Sequence, residues 1–182
     1  MLAAGRVVFA RDGYGPASTS EIAARTGLTR GALYHHFPDK LGLFEAVLEQ
    51  VARELVVRID AAATSKGSAR AGLQAGCEEW LDAMAEPELH RLYLVEGPAA
   101  LGLARWRELD ARYGGGSLRQ GIEAVLVEIG DRTTAVEPLT ALLTGALNEA
   151  ALWTAESDEP TLARRAMRGS VRLLLDRLFA RP

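Results

Sequence analysis

Apolar residues recur at intervals of three and four along the chain, and no stretch keeps the strict apolar–polar alternation of a β-strand. This periodicity predicts helices, separated by breaks rich in glycine, proline and serine, among them Gly27, Pro38, Pro98 and the glycine run at 114–116. The predicted helices span residues 1–12, 18–25, 29–36, 39–64, 69–85, 88–96, 99–112, 117–130, 134–156 and 160–180. We therefore expect an all-α protein.

Composition narrows the class of protein. A content of 48% hydrophobic and 25% charged residues is typical of a soluble globular chain. No run of 18 apolar residues occurs, so no membrane-spanning helix is expected. The apolar start is interrupted by Arg6, Arg11 and Asp12, which favours an amphipathic helix over a signal peptide. Cys77 is the single cysteine, which excludes an internal disulfide and predicts a cytoplasmic location.

Charge is distributed unevenly. Residues 1–44 carry five basic and three acidic side chains, a net charge of +2. Because the whole chain carries −3, the remainder carries −5. A mildly basic end on an acidic body suits binding of DNA by that end alone.

At 182 residues the chain is long enough for one domain of ordinary size and a small one.

The stretch from Ser18 to Lys40 predicts two short helices about a tight turn. Ser18 is a good N-cap, and Glu21 three residues later completes a capping box. Gly27 tolerates the left-handed backbone of a helix end, and Thr29 caps the next helix. Pro38 ends that helix, and Asp39 caps the following one.

The second of these helices has two different faces. Ala32, Leu33 and Phe37 can face a core. The other side carries Thr29, Arg30, Gly31, Tyr34, His35 and His36. Such a polar and aromatic surface on a short helix is typical of a recognition helix in the major groove of DNA.

Residues 1 to about 48 resemble the DNA-binding domain of the tetracycline-repressor (TetR) family of bacterial regulators. The matching positions are Phe9 to Tyr14, Ile22-Ala23, Thr26-Gly27, Gly31 to Phe37, Lys40 and Leu43-Phe44. The resemblance implies an all-helical homodimer with a three-helix helix-turn-helix domain, here 1–48, and a helical effector-binding and dimerisation domain, here 49–182. It implies a transcriptional regulator, with a repressor expected, that binds a palindromic operator and is released by a small effector.

The DNA-binding residues predicted from this stretch and the resemblance are Ser18, Thr19, Ser20, Thr29, Arg30, Gly31, Tyr34, His35, His36 and Lys40. Arg30 can bond a guanine edge, or it can be a solvated arginine that touches only phosphate. Tyr34 can donate to phosphate or be a partly buried packing residue. Lys40 resembles the family lysine that meets a phosphate and has little structural reason to stand at a helix start.

Neither a metal nor a cofactor is expected. His35 and His36 are adjacent, and neighbouring residues on a helix point about 100° apart, so the two cannot share an ion.

The first helix departs from the family pattern. Met1 already lies near the middle of the expected apolar face, and Gly5 weakens the helix by roughly 1 kcal/mol relative to alanine. We expect either that the start lies upstream of Met1 or that the preceding arm is absent.

The last two predicted helices have broad apolar faces and are expected to form a four-helix dimer interface. The candidate interface residues are Leu139, Leu142, Leu143, Ala146, Leu147, Ala150, Trp153, Met167, Val171, Leu174 and Leu178. The alternative is that these faces pack inside the monomer.

The segment from Leu92 through Asp110 to Ala150 resembles one C-terminal subgroup of these regulators, which implies a pocket for a small, largely apolar effector. The candidate lining residues are Trp80, Met84, His90, Tyr93, Trp106, Leu118, Ile122, Leu126 and Asn148. Plain core packing is the alternative for the apolar ones. The stripe from Leu43 to Ile59 suggests that the fourth helix transmits effector binding to the DNA-binding end.

An enzyme is not expected. Glu78 and Glu79 are adjacent and diverge on a helix, and the HExxH, GxSxG and GxxxxGK[ST] motifs do not occur. The remaining alternative is a helical protein of the same fold that binds a protein partner instead of DNA.

Overall fold

The computed structural model describes residues 1–180, and none of these residues lies in a strand. The helices are α1 (Leu2–Asp12), α2 (Thr19–Arg25), α3 (Arg30–His36), α4 (Lys40–Thr64), α5 (Ala69–Met84), α6 (Pro87–Leu89), α7 (Gly97–Leu101), α8 (Leu103–Ile129), α9 (Val136–Ala155) and α10 (Pro160–Leu178). A π-helical segment, His90–Glu96, lies between α6 and α7. The predicted all-α fold is confirmed.

The chain forms two compact units. The first unit consists of Met1–Glu54 and Pro87–Asp110, and the second of Leu55–Glu86 together with the described residues from Ala111 onward. All of the predicted DNA-binding domain, 1–48, lies in the first unit. Its boundary with the second domain stays a prediction, and the last two residues of that domain, 181–182, lie outside the described residues.

Aromatic packing forms the core of the first unit. The rings of Phe9 and Phe44 meet edge to face with centroids 4.9 Å apart, and the ring of Tyr14 lies 5.1 Å from that of Phe44. Ile22 and Leu33 are fully buried in the same unit. Burial of these side chains joins α1, α2 and α3 to the start of α4.

The π-helical segment holds the end of α1. The Arg91 guanidinium donates to the carbonyl oxygens of Ala10 and Arg11 at 3.0 and 2.7 Å. The backbone N–H of Tyr14 donates to the Glu96 carboxylate at 2.8 Å. Arg91 therefore occupies carbonyl groups that a helix leaves unpaired at its C-terminus.

In the second unit α5, α9 and α10 pack against one another. Two arginines join α10 to α5 through Glu78: Arg168 contacts its carboxylate at 3.0 Å and Arg172 at 2.8 Å. Although burial by itself would raise the pKa of Glu78, hydrogen bonds led by the one from Arg172 lower it to about 2.

The glycine run at 114–116 does not break a helix, so the predicted helices 99–112 and 117–130 are wrong. Helix α8 is continuous from Leu103 to Ile129. Three glycines weaken a helix by roughly 1 kcal/mol each, but Leu109 before the run and Ile122 after it are both buried. Packing of the flanking turns overrides the low local propensity.

The break falls instead at Gly102, where φ is +78°. The helical run from Pro87 to Leu101 continues through Pro98, which occupies the first turn of α7. Proline is tolerated there because the first-turn N–H groups have no partner within the helix.

Candidate nucleic-acid interface

Local capping produces the two helices and their turn as predicted. The Ser18 hydroxyl accepts the N–H of Glu21 at 3.3 Å, and the Thr29 hydroxyl accepts the N–H of Ala32 at 3.1 Å. Gly27 has φ +69°, a left-handed conformation that favours glycine. At the start of α4 the Asp39 carboxylate accepts the N–H of Gly42 at 2.7 Å, which confirms it as a cap.

Glu21 does not complete the predicted capping box. Its carboxylate instead accepts hydrogen bonds from Arg11, at 3.0 and 2.8 Å, and from Arg25, at 2.9 Å. Two arginines compete more strongly for a carboxylate than a single backbone N–H does. The hydrogen bonds from Arg11 and Arg25 lower the pKa of Glu21.

Helix α3 is largely exposed. Leu33 is fully buried, whereas Ala32 and Phe37, also expected to face the core, are half-buried. The exposed predicted DNA-binding residues are Ser18, Ser20, Thr29, Arg30, Gly31, His35 and His36. The imidazoles of His35 and His36 meet edge to face, with centroids 5.7 Å apart.

Tyr34 joins α3 to α2. Its hydroxyl lies 3.2 Å from the Thr19 hydroxyl, and the Arg30 guanidinium carbon lies 5.4 Å from the centroid of its ring. The hydrogen bond to Thr19, followed by that to Arg30, lowers the pKa of Tyr34. Arg30 is therefore held over an aromatic ring on the same face of α3.

The side chain of Thr19 is buried. It is 8% exposed, and its hydroxyl lies within hydrogen-bond distance of the Tyr34 hydroxyl. The side chains of Ser18 and Ser20 on either side of it are exposed at the start of α2. A role of Thr19 in DNA binding through its backbone N–H stays a prediction.

Lys40 has a structural role that the sequence did not indicate. Its ammonium donates to the Gly15 carbonyl at 2.8 Å and lies 4.8 Å from the ring centroid of Tyr14. The expectation that Lys40 has little structural reason to be there is therefore wrong. An ammonium has three donors, so these contacts leave capacity for a phosphate.

The predicted effector residues divide between the two units. His90, Tyr93 and Trp106 belong to the first unit, and the other six to the second. Most of them are buried; His90, Leu118 and Asn148 are half-buried. The rings of Tyr93 and Trp106 lie together, edge to face at 6.0 Å.

Asp110 was missed as a candidate site residue. It is 7% exposed, and the Tyr93 hydroxyl donates to its Oδ1 at 3.1 Å. Burial raises the pKa of Asp110 to about 6, with the hydrogen bond from Tyr93 acting in the opposite direction. Its position one helical turn after Trp106 is the signal that could have identified it.

A cavity of about 340 Å³ lies in the second unit, and its described lining includes none of the predicted effector residues. It is bordered by charged groups, including Glu78, Glu79, Asp82 and Arg168. Each of these carboxylates has an arginine partner: Arg168 contacts Glu78 and Asp82, Arg172 also contacts Glu78, and Arg58 contacts Glu79.

The candidate dimer residues fall on two faces. Four of them are buried within the second unit: Leu143, Leu147, Ala150 and Val171. These four pack inside the monomer, which is the alternative given above. Leu139 and Met167 are half-buried. The exposed candidates are Leu142, Ala146, Trp153, Leu174 and Leu178. The spacing of apolar residues in the sequence cannot distinguish the buried face from the exposed face, because both are apolar.

The described part of the chain contains no helix with the length and apolar character needed to cross a membrane. Among residues 1–180, no three side chains of His, Cys, Asp or Glu are grouped so as to hold a metal ion.

Comparison with known families matches both ends of the chain. Residues 1–47 match the family model of the bacterial regulatory proteins of the tetR family, and residues 70–178 match that of the tetracyclin repressor-like C-terminal domain. The second match alone covers more than half of the chain. The chain belongs to the TetR family, as the sequence resemblance predicted, and this family consists of transcriptional regulators rather than enzymes.

Individual proteins similar to this chain support the same family assignment. A TetR-family transcriptional regulator from Pectobacterium atrosepticum has a crystal structure with 34% identity and a TM-score of 0.81, covering 100% of this chain and 93% of that one. The TetC protein of transposon Tn10 from Escherichia coli is 31% identical over 108 residues, 58% of this chain and 51% of that protein. The chain spans about half or less of the length of the curated relatives it matches.

The fold is also shared with a more distant regulator. FadR from Bacillus subtilis, solved in complex with stearoyl-CoA, superposes with a TM-score of 0.78 at 18% identity, covering 96% of this chain and 95% of that one.

Proposed function

We propose that this protein is a ligand-responsive transcriptional repressor, which binds a palindromic operator as a homodimer and is released by a small, largely apolar effector. In this proposal residues 1–48 bind DNA, and 49–182 bind the effector and dimerise. The reduced, buried thiol of Cys77 fits action in the cytoplasm.

The observation that carries the DNA-binding part is the outward face of α3. Arg30, His35 and His36 are exposed on a capped helix whose Leu33 is fully buried, so the helix is fixed while its polar face is free. A Cβ at Gly31 would meet, among the described residues, only the Thr29 hydroxyl at 3.8 Å. Packing within the chain does not require glycine there, whereas close approach of α3 to a groove does.

Exposed apolar side chains support the homodimer. Leu142 is 72% exposed and Trp153 is 50% exposed, and both lie on the same side of α9 as Ala146. Leu174 and Leu178 are exposed on α10. Grouped apolar residues of this kind mark interaction surfaces. A two-fold dimer would present two α3 helices at a spacing of about 34–36 Å, or a multiple of it, to successive major grooves.

The effector part rests on family membership and on the buried aromatic residues Trp80, Tyr93 and Trp106. FadR, with the same fold, holds an acyl-CoA. Effector binding would favour dimers in which the two α3 helices no longer match successive grooves. Helix α4, which contributes residues to both units, would transmit this change.

The test is a gel-shift titration of the protein with the DNA upstream of its own gene, and with a scrambled fragment of equal length. Operator binding predicts a clear preference for the upstream fragment and an affinity that falls steeply as salt rises. Equal, feeble binding to both fragments would contradict the proposal and favour a protein partner.

A further inference from the structure

The carboxylate of Asp110 is buried, and few groups compensate its negative charge. The Tyr93 hydroxyl donates to it, and among the residues that the structure describes this neutral group is the one side chain that influences its pKa. A carboxylate has room for about four hydrogen bonds. A buried ionised group is retained in proteins mainly where it is paired or serves a function.

No basic side chain of residues 1–180 is among the influences on the pKa of Asp110, which are burial and the hydrogen bond from Tyr93. Arg105 on the same helix is engaged by Glu45, and Arg107 is exposed. Tyr93 is neutral, since burial and the adjacent Asp110 carboxylate raise its pKa well above the ordinary value.

Aromatic groups adjoin the carboxylate. Trp106 precedes Asp110 by four residues on α8, so both lie on the same side of the helix. Trp106 is 6% exposed, and its indole N–H has no hydrogen-bond partner among residues 1–180. Gly97 lies directly beside this ring, because a Cβ there would come within 2.9 Å of the indole Cδ1.

A buried carboxylate that is bonded by a neutral hydroxyl favours one ligand chemistry. A carboxylate accepts strong hydrogen bonds from an ammonium group, which also supplies the opposite charge. A hydroxyl could also donate to the carboxylate, but it would leave the negative charge uncompensated.

We propose that Asp110, Tyr93 and Trp106 form the recognition site for an organic ammonium group of the effector, with the indole N–H donating to an acceptor elsewhere on the same molecule. The inference rests on the proposed function in that it names the chemistry of the effector. It refines the expectation of a largely apolar effector by adding one positive charge.

The test uses the full chain and two small probes of nearly equal shape, phenethylammonium and 2-phenylethanol, up to millimolar concentration. Binding is measured by isothermal titration calorimetry at pH 7.5. We expect phenethylammonium to bind at least about tenfold more tightly than the alcohol, and Asp110→Asn to remove this preference. Glu108→Gln, which removes an exposed charge two residues earlier on α8, should leave both affinities unchanged.

Stability separates recognition from a merely structural role. If Asp110 serves a ligand, Asp110→Asn should keep or raise the melting temperature while abolishing ammonium binding, because it removes a buried charge. Tyr93→Phe removes the hydrogen bond that lowers the pKa of Asp110, so ammonium binding should begin at a higher pH than in the unmodified protein. That variant keeps the inference testable if Asp110→Asn does not fold.

Several results would overturn the inference: equal binding of the two probes, no binding of phenethylammonium to the unmodified protein, ammonium binding that survives Asp110→Asn, or an onset of ammonium binding at an unchanged pH in Tyr93→Phe. The gel shift is run on the same samples. Intact operator binding with failed ammonium binding removes only this inference, whereas failed operator binding removes the proposed function.

Discussion

The hydroxyl oxygens of Tyr34 and Thr19 lie 3.2 Å apart and connect helix α3 to α2. The same Tyr34 ring lies beneath the Arg30 guanidinium. One side chain therefore fixes the angle between two helices and the position of the arginine proposed to read DNA.

We expect Tyr34→Phe and Thr19→Val each to lower the free energy of unfolding by about 0.5–1.5 kcal/mol, since each removes the same partly buried hydrogen bond. Urea unfolding of the two single variants and the double variant measures the coupling. Because the contact is shared, the double variant should lose less than the sum of the single effects. Strictly additive losses would show that the two hydroxyls do not interact.

Arg30→Ala should weaken operator binding by about 1–3 kcal/mol and relax base preference at one position of each half-site, because a bidentate guanine contact is lost. Fluorescence anisotropy with operator variants measures both effects. Arg132→Ala, which removes an exposed arginine of the second unit, is the control and should change neither. A uniform loss across all sequences would mean that Arg30 contacts phosphate only.

Lys40→Met should lower the free energy of unfolding by about 1 kcal/mol, because its ammonium bonds the Gly15 carbonyl and lies over the Tyr14 ring. Urea unfolding without DNA detects this loss. A lysine that served phosphate alone would leave stability unchanged and reduce only the salt dependence of DNA binding.

Leu142→Glu combined with Trp153→Glu should convert the proposed dimer to monomer, because charges would be buried at the proposed interface. Light scattering coupled to gel filtration measures the mass. Val57→Glu introduces the same charge at another exposed apolar position of the second unit, 69% exposed, and should leave the mass unchanged. Dissociation by Val57→Glu alone would move the interface away from α9 and α10.

Stability should depend on pH through Asp110. Burial raises its pKa from 3.8 to about 6 in the folded chain, so the folded state holds this proton more strongly than the unfolded state. The contribution of Asp110 to stability is therefore fully present below about pH 4 and is lost as pH rises through 6, a change of about 3 kcal/mol at most.

Comparison with Asp110→Asn isolates this effect from other titrating groups. The stability of the variant relative to the unmodified protein should increase between pH 4 and 6.5 and then level off. Thermal unfolding across this range measures the difference. A difference that does not change with pH would show that Asp110 titrates normally.

Local features of this chain could be predicted because they depend on residues three or four positions apart. Ser18, Thr29 and Asp39 cap the helices that follow them, and Gly27 adopts the left-handed turn. The exposed polar face of α3 follows from the same short spacing.

Features that depend on distant contacts could not be predicted in this way. Continuity of α8 through the glycine run needed the burial of residues on both sides of it. The role of Lys40 depends on the Gly15 carbonyl, 25 residues earlier in the chain. The role proposed for Asp110 depends on its burial and on the hydrogen bond from Tyr93, 17 residues away in the chain.

By itself the sequence determined the helical periodicity, the caps, the exposed polar face of α3 and the family, since these depend on local spacing and residue type. Only the tertiary structure decided which apolar faces of α9 and α10 are exposed, and which charged groups are buried. The physical reason is that burial and charge compensation depend on which remote residues meet, and spacing along the chain does not specify those contacts.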